Sequence, residues 1–102
     1  MKPELFDVVE LVVNLPEYNL KLGAQGTIVE EYNDGYYEVE FSDPDGQTID
    51  LCPLSIKQFI VIWQAKTKIW LSLPEKLTAL ITNLPNEQQQ EVLNFARSLY
   101  QK

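Results

Sequence analysis

Between residues 36 and 41 apolar and polar positions alternate strictly. Tyr37, Val39 and Phe41 fall on one side, Tyr36, Glu38 and Glu40 on the other. A period of two is the signature of a strand with one buried and one wet face. Residues 27–32 form a second β-prone run, and Asn33-Asp34-Gly35 between the two has the chemistry of a tight hairpin turn. Gly23 and Gly26 stand where the chain must turn into this hairpin. Upstream, residues 5–13 read as a first strand, with Val9, Leu11 and Val13 inward and Glu10 and Val12 opposite. Asn14-Leu15-Pro16-Glu17 breaks it, because proline restricts its own φ and the residue before it. The loop that follows carries Tyr18, Leu20 and Leu22, either as a plug for one end of the sheet or as an exposed lip.

Downstream, Ser42-Asp43-Pro44-Asp45-Gly46 is a turn, residues 47–51 a fourth strand ended by Pro53, and Ser55-Ile56-Lys57-Gln58 a single helical turn. Residues 59–63 make a fifth strand. Residues 64–71 read as a polar, basic linker. Ser72-Leu73-Pro74-Glu75 then carries a capping box, serine followed three residues later by glutamate, with proline in the first turn. A short helix follows, with Leu77, Leu80 and Ile81 on one stripe. Asn83-Leu84-Pro85-Asn86 starts a longer one over residues 86–100. Its apolar side is Val92, Phe95, Ala96 and Leu99, joined by Leu93 and Tyr100, and Gln89, Gln90, Asn94 and Arg97 lie opposite. The expected architecture is mainly β with an α-helical tail. A small SH3-like, five-stranded, partly open barrel over residues 1–63 precedes a helical hairpin over residues 72–102.

At 102 residues with 45% apolar content the chain can build a core, which argues against disorder. Its first 63 residues alone would make a marginal domain, so the tail is expected to dock on them, on a second copy in a homodimer, or on another protein. No run approaches the ~20 apolar residues of a membrane span, and a lone cysteine fits a reducing cytoplasm. The net charge of −7 is uneven: residues 1–63 hold twelve acidic side chains and three lysines, residues 64–102 three acidic and five basic. An acidic barrel repels a phosphate backbone, which argues against nucleic acid and for a basic protein partner.

Histidine is absent, which removes the commonest neutral-pH acid/base and nitrogen ligand. Cys52 has no histidine to pair with and reads as a small apolar residue. Asp43, Asp45 and Asp50 cluster at one turn without the bidentate glutamate that a calcium loop needs. The spacing of Gly23 and Gly26 is not that of a phosphate loop. No catalytic, metal or cofactor set is therefore expected. The aromatics are more informative. Tyr36 is the best exposed candidate, with Tyr18 and Tyr32 behind it, and together with Glu38 and Glu40 they suit a lysine- or arginine-bearing peptide. Trp70, Phe95 and Leu99 are the candidates on the tail side.

The first part of the chain resembles the DUF4926 family of small bacterial barrels. The resemblance runs through Leu5-Phe6-Asp7-Val8-Val9-Glu10-Leu11, Leu15-Pro16-Glu17, Gly23-x-x-Gly26-Thr27-Ile28-Val29-Glu30 and Tyr37-Glu38-Val39-Glu40-Phe41, with Asp45-Gly46 behind, over about residues 5–62. The tail, about residues 72–101, is similar to the DUF2281 family through Leu84-Pro85 and Gln89-Gln90-Glu91-Val92-Leu93-Asn94-Phe95. Both families are of unknown function, and some members look like the antitoxin halves of toxin–antitoxin pairs. The resemblance brings no catalytic residues. Together with the charge asymmetry and the exposed aromatic candidates, it leads to the expectation of a non-enzymatic interaction module, antitoxin-like toward a basic bacterial protein. The alternative is a structural or accessory subunit of a larger assembly.

Overall fold

The computed structural model describes residues 2–43 and 45–101; Pro44, and with it the centre of the expected 42–46 turn, lies outside the described residues, as do both terminal residues. Two compact units divide the chain, residues 1–71 and residues 72–102.

The first unit is one antiparallel sheet of six strands, not the five expected. They are β1 (Val8–Leu11), β2 (Gln25–Glu31), β3 (Tyr36–Ser42), β4 (Thr48–Ser55), β5 (Phe59–Gln64) and β6 (Ile69–Trp70), in the order β4-β3-β2-β1-β5-β6. The added strand falls inside the stretch read as a linker. After a polar turn with Lys68 at φ 58°, Ile69 and Trp70 return to pair with Gln64 and Trp63. Proline did not end β4. That strand is an edge of the sheet, where the missing N–H of Pro53 costs no interior ladder bond. The first strand, expected over residues 5–13, is shorter at both ends; ahead of its start Phe6 takes a left-handed φ of 71°.

The inner face is the core. Val9, Leu11, Ile28, Tyr37, Val39, Phe41, Cys52, Leu54, Phe59 and Val61 are buried there, with Leu15 from the loop after β1. Tyr18 and Leu20 from that loop pack on the same cluster, whereas Leu22 is exposed. The sheet reaches this burial by curling. Tyr37 on β3 and Phe59 on β5 are three strand spacings apart, roughly 14 Å on a flat sheet. Their rings nevertheless meet edge to face at 5.8 Å. The sheet thus folds over its own inner face while its order keeps two edges, β4 and β6.

Three devices hold this sheet together. Gly35, at φ 85°, closes the expected β2–β3 hairpin, and Tyr32 N–H donates to the Tyr36 carbonyl at 2.9 Å. Gly26 lies within β2 rather than at a turn. A methyl there would stand 2.7 Å from Val39 Cγ1 and 2.9 Å from the Glu40 carbonyl oxygen, so close strand packing demands glycine. Asp7, only 2% exposed, accepts Glu4 N–H at 3.0 Å and Ala65 N–H at 2.9 Å. Both oxygens of this buried carboxyl are thereby satisfied, and the N-terminal segment is tied to the β5–β6 turn.

The second unit is two helices, α1 (Leu73–Thr82) and α2 (Asn86–Ser98). The capping box forms as the sequence suggests. Ser72 Oγ accepts Glu75 N–H at 3.3 Å, and a Glu75 carboxylate oxygen accepts Ser72 N–H at 2.8 Å. The Gln89 side chain, expected on the polar side of α2, instead donates from Nε2 to the carbonyls of Ile81 and Leu84. It satisfies the open end of α1 from the neighbouring helix. Among the described residues neither helix contains a buried one.

Candidate partner-binding face

Strand alternation puts Tyr36, Glu38 and Glu40 on the face of β3 opposite the core, and pairing extends that face across the sheet. One row of partnered positions runs Trp70, Trp63, Val8, Thr27, Glu40, Leu51 through all six strands. A second runs Glu30, Glu38, Pro53, and Tyr36 is partnered with Ser55. Five of the seven residues singled out from sequence therefore belong to the sheet unit. Tyr36, Glu38, Glu40 and Trp70 lie on its outer face, and Tyr32 stands at the hairpin end.

The carboxylates on this face differ in what holds them. The Tyr32 hydroxyl donates to Glu38 Oε2 at 3.1 Å, and this bond pushes the Tyr32 hydroxyl pKa above its ordinary value of 10.0. Glu38 Oε1 is covered and has no hydrogen-bond partner among the described residues. Glu31, on the hairpin, faces Lys2 at 3.9 Å. The Glu40 side chain has neither a hydrogen bond nor an ion pair among the described residues. It lines an open groove of about 270 Å³ together with Val8, Gln25, Gly26, Thr27, Ser42 and Trp70. Trp70 is 58% exposed and rests against Trp63, ring centroids 6.0 Å apart and tilted by 50°. Tyr36 is 44% exposed.

Phe95 and Leu99 belong to the helical unit and are exposed there. Phe95 lines a second open groove, about 460 Å³, with Leu84, Gln88, Glu91 and Val92.

The unit boundary also changes the charge picture. Residues 1–71 hold twelve acidic and five basic side chains, net −7, and residues 72–102 three of each, net zero. Lys66 and Lys68, counted with the tail in the sequence reading, sit in the β5–β6 turn of the sheet unit. The whole formal charge of the protein therefore resides with the sheet, and the helices have no net charge to complement it.

Cys52 is buried on the inner face, and desolvation pushes its thiol up to about 11, so it is a neutral thiol at pH 7. Among the described residues no group of three His, Cys, Asp or Glu side chains could hold a metal ion. No helix there is long and apolar enough to cross a membrane. Sequence reasoning missed Asp7, the groove walls Val8, Thr27 and Ser42, and the pairing of Trp63 with Trp70. The signal for the last was present: two β-prone residues follow the four-residue stretch Ala65-Lys66-Thr67-Lys68 after a strand, the spacing of a short hairpin.

A family model described as Domain of unknown function (DUF4926) matches residues 5–61. This span covers β1 to β4 and the first half of β5, and it stops short of β6 and both helices. The match leaves out residues 62–102, and the expected likeness of the tail to DUF2281 finds no support in it. No curated protein matches the chain, and no solved structure does.

Proposed function

We propose that this chain, which belongs to the DUF4926 family, is a non-enzymatic docking module for a basic protein. Its curled sheet is taken as an SH3-like, partly open barrel that recognises its partner through the outer face. The observation that carries this reading is the coincidence of charge and aromatic surface. The net charge of −7 belongs to the unit whose outer face presents Tyr36, Glu38, Glu40 and Trp70. Carboxylates beside exposed aromatic rings attract and orient cationic side chains. An antitoxin-like role, in which the module covers a basic surface of a nuclease, is the favoured instance. The expected mode there is direct contact, because an acidic sheet is repelled by nucleic acid.

An accessory-subunit role is favoured by a different observation, the exposed apolar side of α2 with Val92, Phe95 and Leu99. Such a subunit would bury that side against its assembly.

Binding of basic and acidic octapeptides at low and high salt tests the docking reading. Basic peptides should bind and weaken as salt rises, since exposed charge pairs are screened over about 10 Å at 0.1 M salt. Tyr36→Ala should weaken them while leaving stability within about 0.5 kcal/mol, as for a surface position. Equal binding of acidic peptides, or a large loss of stability in Tyr36→Ala, would contradict it.

A further inference from the structure

We infer that the groove between Trp70 and Glu40 is a seat for a single arginine side chain of the partner. This rests on the docking reading and names the group recognised at its centre. The groove's 270 Å³ lies below the roughly 300–1,000 Å³ of small-molecule sites, a size suited to one inserted side chain. Glu40 is the one charged residue lining it, and that carboxylate is uncompensated among the described residues. Opposite stands an indole 58% exposed, held at one side by Trp63. Gly26 contributes only backbone to the lining, since a side chain there would point inward at Val39 and Phe41 rather than into the groove.

These features select the ligand chemistry. An aromatic face attracts a cation, and a guanidinium is planar, weakly hydrated and able to stack while its N–H groups fork onto a carboxylate. A lysine ammonium is a compact charge that cannot stack and fork at once. Gln25, Thr27 and Ser42 supply oxygens for the remaining guanidinium N–H donors.

The test uses the full chain and fluorescein-labelled octapeptides of glycine and serine with one central arginine, lysine or citrulline, followed by anisotropy. The arginine peptide should bind tightest, and the neutral citrulline analogue should lose about tenfold, the size expected when an exposed cation–π contact and an exposed ion pair to Glu40 are lost together. Trp70→Ala should cost a similar factor. Glu40→Gln, nearly isosteric and outside the core, should do the same without altering the melting temperature, which separates recognition from folding. If the arginine peptide binds and both variants keep full affinity, the seat is elsewhere, and only this inference falls. Equal affinity for lysine and arginine would overturn the stacked guanidinium. If neither cationic peptide binds, this inference and the docking reading fall together.

Discussion

Phe41 and Phe95 are the same residue in two different situations. Phe41, on the inner face of the sheet, is 1% exposed; Phe95, on α2, is 66% exposed. Both lie on regular apolar faces, so local pattern alone does not explain the contrast. A six-stranded sheet can curl until opposite strands meet, as the Tyr37–Phe59 contact shows. Two helices of ten and thirteen residues offer one contact line and cannot enclose a side chain from all sides. The units divide their chemistry in the same way. The sheet unit has a buried apolar inner face and carries the net charge, whereas the helices carry no net charge and bury none of their described residues.

The largest effect is therefore expected in the sheet. Phe41→Ala should cost about 3–5 kcal/mol, the usual loss for a buried phenylalanine, a large share of the 5–15 kcal/mol available to a domain. Phe95→Ala should stay within about 0.5 kcal/mol. Urea titrations followed by tryptophan emission and far-ultraviolet circular dichroism check both. A Phe95 variant as damaging as the Phe41 variant would abolish the distinction between the units.

A smaller effect belongs to the helices. Ser72→Ala removes the N-cap oxygen and should lower the stability of α1 by about 1 kcal/mol, seen as lost helical signal with unchanged tryptophan emission. The smallest effect is its pH dependence. Hydrogen bonding from Ser72 holds the Glu75 carboxyl below its ordinary value of 4.5. A depressed carboxyl stabilises the folded form fully above the ordinary value, and that contribution is lost as pH falls through the folded one. Helical signal should decline in that acid range, and Glu75→Gln should flatten the decline. An unaltered acid profile in that variant would mean the capping box contributes nothing in solution.

Much of this fold was legible because it is local. The alternation of Tyr37, Val39 and Phe41, the turn at Asn33-Asp34-Gly35 and the Ser72–Glu75 cap each depend on neighbours within a few residues, and each is present. What escaped depends on partners far along the chain. Asp7 is buried because Ala65, 58 residues away, donates to it. Gly26 is required by atoms of Val39 and Glu40 across the hairpin. Pro53 looked like a strand end because only the sheet order reveals that β4 is an edge. The candidate face shows the same division. Alternation placed Tyr36, Glu38 and Glu40 together, but the meeting of Glu40 with Trp70 needed the register of four strand pairs and the unsuspected β6.

The central claim is that the outer face of the sheet, not the helical pair, takes the cationic partner. Amide and indole chemical-shift mapping of the ¹⁵N-labelled chain with the single-arginine peptide tests it most directly. Saturable shifts should concentrate at Val8, Thr27, Glu38, Glu40 and the Trp70 indole, with α1 and α2 silent. Shifts centred on Val92, Phe95 and Leu99, with the outer face unmoved, would contradict the account.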